Sequence, residues 1–165
     1  MATFYQNLAM LLTEGRRFNV DASVRIIVGC CKALVPGVDL NLITPKRIYL
    51  SEDGGVQISP RGVVDLHMLF RYTPPELLAD FDLNNDSPTG SVFSLGCVLW
   101  ELIAGTALFG EEAVLTGDVP RLPEAPPELE AILRKALARR VDVRYQTPGE
   151  LGDALAAYLA ANTPN

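Results

Sequence analysis

The feature that most constrains this chain is the stretch SVFSLGCVLWELIAG, residues 91–105, which is apolar on nearly every side. A helix of this kind is stable only when other elements surround it, because no face of it is suited to water. Gly105 closes the stretch at the point where helices commonly end in a left-handed residue. We therefore predict that Ser91–Ala104 is the most buried helix of the fold.

The segments around this helix repeat apolar residues at helical spacing, which predicts a mainly helical chain. Asn19 and Thr147 stand where their side-chain oxygens can cap two of these helices. Gly15 ends the helix that begins at Phe4, and the pair Pro36–Gly37 ends the helix that Asn19 caps. The predicted helices, besides Ser91–Ala104, are Phe4–Glu14, 20–34, 74–80, 126–140 and one that begins at Pro148.

A short antiparallel hairpin is predicted to interrupt the helical pattern. Its strands fall near residues 47–51 and 55–59, and SEDGG between them supplies the Asp and Gly of a tight turn. The next stretch, residues 60–73, has no clear period and is predicted to be irregular. The fold class is therefore mainly α with a small β-hairpin.

Length and charge exclude several classes of protein. We expect one domain over residues 1–161, followed by a frayed tail, 162–165. The net charge of −6 comes with no basic stripe, so neither nucleic acid nor an anionic membrane surface is an expected partner. No apolar run reaches the roughly 20 residues that span a bilayer. The N-terminus lacks the pattern of a signal peptide, and a cytoplasmic location is expected.

Three further patterns have ordinary interpretations. Cys30, Cys31 and Cys97 lie inside apolar helical patterns and are predicted to be buried free thiols. The loop Asp80–Asp86 alternates oxygen-bearing residues as an EF-hand does, but it lacks the turn Gly and the final Glu of that motif. A solvated loop is the favoured interpretation, and weak calcium binding stays open. His67 is the only His, so no metal site is predicted.

Several of these elements together resemble the C-terminal lobe of bacterial serine/threonine protein kinases. YTPPELL, residues 72–78, is similar to the Ala-Pro-Glu motif that ends the activation segment. Residues 91–105 resemble the buried central helix of that lobe, and residues 132–151 resemble its closing helices. LITPKRIYLSEDGGVQISPRG, residues 42–62, resembles the catalytic loop, the hairpin and the metal-binding motif. The likeness covers roughly residues 4–160.

The resemblance implies that the catalytic groups of a kinase are replaced. Leu42 stands at the position of the catalytic base, and Arg47 at that of the second metal ligand. Pro60 replaces the Asp that holds Mg²⁺, and Ser91 replaces the Asp that braces the catalytic loop. Leu, Arg and Pro offer no oxygen ligand to Mg²⁺. The resemblance thus predicts a degenerate, pseudokinase-like lobe that lacks the N-terminal lobe, uses no ATP, metal or other cofactor, and is not an enzyme.

Two residues of the kinase framework are retained. Glu76 and Arg144 match the Glu of the Ala-Pro-Glu motif and the Arg before the last helix, which form an ion pair in that family. Removing one partner of a buried pair leaves an uncompensated charge. Glu76→Ala and Arg144→Ala are therefore expected to destabilise the protein strongly, whereas Arg47→Ala is expected to have little effect.

The expected function is that of a non-catalytic scaffold or regulatory module that binds a protein partner, with a homodimer as the alternative. The expected surface consists of apolar residues beside the former catalytic loop and in the segment HMLFRY: Leu40, Leu42, Ile43, Val63, Met68 and Phe70. Two other interpretations stay open. The chain is a structural domain of a larger assembly without a dedicated ligand, or it is half of a kinase completed by a partner lobe.

Overall fold

The computed structural model describes residues 4–34, 42–60, 66–80, 87–109 and 118–163. Within these ranges the chain is mainly helical and carries a small three-stranded antiparallel sheet. The elements in chain order are β1 Tyr5–Asn7, α1 Leu8–Thr13, α2 Val20–Ala33, a 3-10 helix Pro45–Arg47, β2 Ile48–Ser51, β3 Val56–Ile58, α3 Leu66–Tyr72, α4 Pro75–Asp80, α5 Pro88–Ala104, α6 Pro127–Ala136 and α7 Pro148–Asn162.

Helix α5 lies at the centre of the fold, as its all-round apolar sequence predicts. Its residues from Gly90 to Leu99 are buried, and it packs against α2, α3, α6 and α7. The Ser87 side chain caps the first turn by accepting a hydrogen bond from the backbone N–H of Gly90. Gly105 ends the helix with φ of 82°, a left-handed conformation that favours glycine.

Helix α2 packs between α5 and α7 and begins where the sequence predicts. The Asn19 side chain accepts a hydrogen bond from the N–H of Ala22, which satisfies one free donor of the first turn. Helix α7 approaches α2 so closely at Gly152 that a Cβ there would lie 2.8 Å from the Cβ of Cys31. Glycine at this position therefore sets the distance between the two helices.

The sheet contains the predicted hairpin and a third strand that the periodicity does not reveal. Strands β2 and β3 pair with Ile48 opposite Ile58, and β1 pairs with the other edge of β2 with Asn7 opposite Tyr49. The predicted helix Phe4–Glu14 is therefore wrong in its first turn. The Asn7 side chain accepts a hydrogen bond from the N–H of Met10 and starts α1 at Leu8, so the residues before it stay extended.

A second difference concerns the stretch 60–73, which the sequence predicts to be irregular. Residues 66–72 form helix α3, which packs against α5. The predicted burial of the three cysteines is confirmed, since Cys30, Cys31 and Cys97 are free and buried. None of the helices in the described ranges is long and apolar enough to cross a membrane.

Candidate functional site

Arg47 is the centre of the segment that the sequence singles out as a catalytic-loop counterpart. Its side chain is 5% exposed. Its Nε donates to the carbonyl of Ser59 at 2.9 Å, and its Nη1 donates to the carbonyl of Leu42 at 3.4 Å. The N–H of Ser59 donates in turn to the Arg47 carbonyl at 2.8 Å. The guanidinium thus joins the loop before the 3-10 helix to the end of β3.

These contacts change the expectation for Arg47. A residue whose replacement by Ala has little effect should lie in water or make few contacts, and Arg47 does neither. Because its side chain satisfies two backbone carbonyls in a buried place, its removal would leave both without that donor. These contacts and this burial favour a larger effect than the sequence alone suggests, and the effect of Arg47→Ala stays a prediction.

Leu42 lies in the same cluster and has an unusual backbone. Its φ of 52° falls in the left-handed region, where a side chain with a Cβ is strained, and its side chain is buried. The hydrogen bond from Arg47 to its carbonyl helps to hold this conformation. Pro60 follows Ser59 and is exposed, while the residues after it, 61–65, lie outside the described ranges.

Ser91 lies apart from this loop in the sequence, at the start of α5. Its side chain is buried and its Oγ donates to the carbonyl of Ser87 at 3.3 Å. The structure therefore brings Leu42, Arg47 and the residue before Pro60 together, and it places Ser91 in the first turn of the central helix. No group of three or more His, Cys, Asp or Glu side chains suited to a metal occurs in the described part of the chain.

Glu76 and Arg144 meet in a bidentate ion pair between α4 and the segment before α7. Arg144 Nη1 and Nη2 lie 2.5 Å and 2.9 Å from Glu76 Oε1 and Oε2. The Arg144 side chain is fully buried and its Nε donates to the carbonyl of Ala138, while its guanidinium lies 4.9 Å from the ring centroid of Phe93. The pair thus connects segments 68 residues apart and anchors both to α5.

A second polar link joins α3 to α5. The Tyr72 hydroxyl donates to Glu101 Oε2 at 2.5 Å, and the Ser94 hydroxyl donates to the Tyr72 carbonyl at 2.6 Å. Burial raises the pKa of Glu101, although the hydrogen bond from Tyr72 and the charge of Arg71 oppose this. Burial, together with the Glu101 charge, also raises the pKa of Tyr72, so the phenol stays protonated and remains the donor.

Comparison with known proteins shows sequence similarity to bacterial protein kinases. No protein-family model matches the chain. It is 28% identical over 155 residues to the serine/threonine-protein kinase PknB of Mycolicibacterium smegmatis, covering 78% of this chain and 25% of that protein. It is also 28% identical to the tyrosine-protein kinase MasK of Myxococcus xanthus and 27% identical to the serine/threonine-protein kinase PknA of Mycobacterium tuberculosis. The chain contains a protein-kinase-like region.

The matched part is a minor share of each relative. The matches cover 72% of this chain and 21% of MasK, and 74% of this chain and 32% of PknA. The chain therefore spans a third or less of the length of these relatives. The prediction that the chain is not an enzyme is contradicted by these matches, because each relative is named as a protein kinase and the chain is thus related to an enzyme family.

The kinase-like region does not present the predicted partner surface as an open face. Leu42 is 8% exposed and Ile43 is fully buried, so the part of the prediction that places them on an uncovered surface is wrong. The reason is that the loop turns inward at Leu42 and packs its apolar side chains into the core. Met68 and Phe70 are half-buried against the same core. Leu40 and Val63 lie outside the described residues.

The apolar side chains that the kinase-like region does expose are at other positions. Phe4 is 73% exposed, Met10 is 62% exposed and Val143 is 45% exposed. Phe4 directly precedes β1, an edge strand that pairs only with β2 among the described strands, and Met10 lies in the first turn of α1, which follows β1. Sequence periodicity missed this surface because it placed Phe4 on the inward stripe of a helix that in fact begins at Leu8.

Of the acidic loop Asp80–Asp86, the structure describes the first residue, which ends α4. Residues 81–86 lie outside the described ranges, so the solvated loop stays a prediction and weak calcium binding stays open. The three cysteines are buried free thiols. Burial raises the pKa of Cys31 to about 12 and raises the pKa values of Cys30 and Cys97 as well. Thiols held protonated in this way are structural side chains rather than nucleophiles.

Proposed function

We propose that this kinase-like region is similar to the C-terminal lobe of a protein kinase, with pseudokinase-like residues at the catalytic-loop positions, and that it acts as a protein-interaction module. Its role would be that of a scaffold or a regulatory element. The observation that carries the proposal is the exposure of Phe4 and Met10 on either side of β1, the surface that we call the β1 edge.

The physical argument rests on the cost of leaving such a surface in water. Large apolar side chains that stay exposed side by side mark contact sites for other macromolecules more often than isolated ones do. An edge strand adds backbone N–H and C=O groups that a strand of another protein can pair with. The β1 edge offers two exposed large apolar side chains and an edge strand within seven residues, from Phe4 to Met10.

The internal contacts of the catalytic-loop counterpart are a second observation that supports a binding role. Arg47 and Leu42, at positions where the resemblance places metal-binding and base residues, are engaged in internal hydrogen bonds and packing. Contacts of this kind stabilise the lobe itself. They are compatible with a region whose role depends on its shape and its surface.

A second candidate function is half of a kinase completed by a partner lobe. The relatives that favour it are kinases three or more times longer than the matched region. A partner lobe would need a place to attach, and the β1 edge would serve. The two candidates therefore predict the same surface and differ in what the partner is.

The experiment is affinity purification from the native host with matched charge variants of the chain. Phe4→Asp and Met10→Asp each place a charge on the β1 edge. Val143→Asp places the same charge at the third exposed apolar residue, before α7. All three positions are exposed, so we expect the melting temperatures of the three variants to stay close to that of the wild type.

We expect a protein that co-purifies with the wild type and with Val143→Asp but is lost from Phe4→Asp and Met10→Asp. If all three variants retain the same proteins, the β1 edge is not the contact surface. If the partner contains a nucleotide-binding lobe and the complex transfers phosphate, the second candidate is the correct one. Loss of self-association alone, measured by sedimentation, would identify a homodimer.

A further inference from the structure

A cavity of about 200 Å³ lies where α1, α3 and the C-terminal end of α5 meet. Its polar lining consists of Thr13, Arg17, Arg71, Tyr72 and Glu101. Half-buried Met68 and Leu12 supply part of its apolar lining. The cavity thus combines two guanidinium groups with one carboxylate in a recess large enough for a small side chain.

Arg71 has no hydrogen-bond acceptor in this recess. Its Nε is buried without a partner, and the side chain makes no hydrogen bond or ion pair within the described part of the chain. Its charge nevertheless acts on the neighbouring groups, since it opposes the burial-induced rise in the pKa of Glu101. A half-buried guanidinium with a donor that no described residue accepts is unfavourable, and an acceptor bound in the cavity would relieve this cost.

Arg17 brings a second guanidinium to the same place. Its one hydrogen bond among the described residues goes from Nη1 to the carbonyl of the adjacent Arg16 at 3.3 Å, which is long. Its Nε lies against Gly105, where an added Cβ would be 3.2 Å away. The side chain is therefore held beside the end of α5 while most of its donors remain available.

The charges that face the cavity leave one positive charge in excess. Arg17 and Arg71 contribute two positive charges, and Glu101 contributes one negative charge that already accepts a hydrogen bond from Tyr72. One more monoanion would balance the site, whereas a phosphate dianion would leave an excess of negative charge. Guanidinium groups bind carboxylates through paired N–H donors in a matching geometry.

We propose that this cavity binds the carboxylate of an Asp or Glu side chain from a partner protein, with Arg71 and Arg17 as the donors. The assignment of the carboxylate to a partner protein rests on the interaction role proposed above. The affinity of the cavity for a carboxylate does not rest on that role, because it follows from the two arginines and their spare donors alone.

The test is a titration of the full chain with sodium acetate, followed by NMR of the arginine Nε–Hε resonances. Chloride replaces acetate at equal ionic strength in one control series, and inorganic phosphate replaces it in another. Arg25 is the internal control, because its Nε already lies 2.7 Å from Asp21 Oδ2. Arg71→Gln and Arg17→Gln assign the resonances, and the latter removes an exposed side chain with little risk to folding.

We expect saturable acetate-dependent shifts of Arg71 and Arg17 in the millimolar range, with Arg25 unchanged, and a several-fold weaker response of Arg71 in the Arg17→Gln variant. A response to phosphate but not to acetate would overturn the carboxylate assignment. Shifts that are absent, or equal at Arg25, would overturn the site. Because no protein partner is used, these outcomes are independent of the Phe4 and Met10 experiment, and either proposal can fail alone.

Discussion

Breaking the Glu76–Arg144 pair from each side separately should reveal how far the fold depends on it. The two side chains are unequal, since Arg144 is fully buried while the Glu76 side chain is 29% exposed. In Glu76→Ala the guanidinium keeps its carbonyl acceptors but loses its counter-charge. In Arg144→Ala the carboxylate can turn toward water, but three backbone carbonyls and the face of Phe93 lose their contacts.

The magnitudes follow from these environments. Stranding one partner of a buried ion pair costs about 3–5 kcal/mol of unfolding free energy. We place Glu76→Ala near the lower limit, about 3 kcal/mol, because several acceptors remain for the guanidinium. Arg144→Ala belongs near the upper limit, about 5 kcal/mol, because packing on Phe93 and the carbonyl hydrogen bonds are lost as well.

A double-mutant cycle separates the pair from its surroundings. Removing Glu76 adds little once Arg144 is gone, so the double variant should lose about 5 kcal/mol rather than the sum of about 8, which is a coupling of about 3 kcal/mol. The assay is urea unfolding with the slope compared across variants. An excluded osmolyte such as sucrose keeps the weaker variants folded at the start of the titration.

The control is the exposed pair Arg140–Asp142, whose side chains are 75% and 67% exposed. Arg140→Ala should cost less than about 1 kcal/mol, because exposed ion pairs contribute little. Additivity of the two Glu76 and Arg144 substitutions within about 0.5 kcal/mol would refute the reasoning, since it would mean that the side chains stabilise the fold independently.

Two further outcomes test the polar links around the catalytic-loop counterpart and α5. Arg47→Ala should lower the unfolding free energy by about 2–3 kcal/mol, because the carbonyls of Leu42 and Ser59 lose a buried donor; a loss below about 0.5 kcal/mol, as at an ordinary surface site, would show that the loop does not need it. Glu101 has a folded-state pKa above its unfolded value, so its protonation stabilises the fold below the unfolded pKa, and this contribution disappears as the pH rises through the folded pKa. Relative to the wild type, Glu101→Gln should therefore gain stability from about pH 4 upward and then level off; a pH-independent difference in thermal unfolding would contradict this.

Local signals predict the parts of this fold that depend on local chemistry. The caps at Asn19 and Thr147 satisfy backbone donors within their own first turns, so the residue type alone identifies the helix starts. The central helix is equally evident, because a segment that is apolar on all sides has only one stable environment. The hairpin follows from a turn sequence and two short alternating runs.

The parts that sequence reasoning missed depend on distant residues. Strand β1 has three residues and exists because β2, more than forty residues later, offers its edge, and no local period reports such pairing. The burial of Leu42 and Ile43 was missed for the same reason. Whether an apolar loop residue is exposed is decided by the direction in which the loop turns, and here Leu42 adopts a left-handed conformation that its residue type does not suggest.

The candidate surface was predicted less well than the framework, because framework residues contact each other whereas surface residues have few contacts within the chain. The Glu76–Arg144 pair can be inferred from two residue types that must meet, whereas a binding surface consists of side chains that contact nothing within the chain. Only the structure shows which large apolar residues remain exposed. Among the described residues these are Phe4, Met10 and Val143 rather than Leu42 and Ile43. The cavity with Arg17 and Arg71 was hidden in the same way, because its significance lies in arginine donors that are left unused within the described part of the chain.

The framework and the catalytic-loop segment of this region are stabilised by different contacts, and this independence has a consequence for function. The central helix, its caps and the Glu76–Arg144 pair depend on packing and on a bidentate charge pair far along the chain from Leu42. The loop at Leu42 is held by the Arg47 guanidinium, which donates to the backbone carbonyls of Leu42 and Ser59. Any residue at these two positions would present the same carbonyl. The Leu42 side chain is itself buried in the core, so the loop conformation depends on an apolar residue at position 42 as well as on Arg47. A kinase-like fold can in this way keep its shape, and with it a surface such as the β1 edge, through buried contacts of the loop rather than through any chemistry of the loop residues.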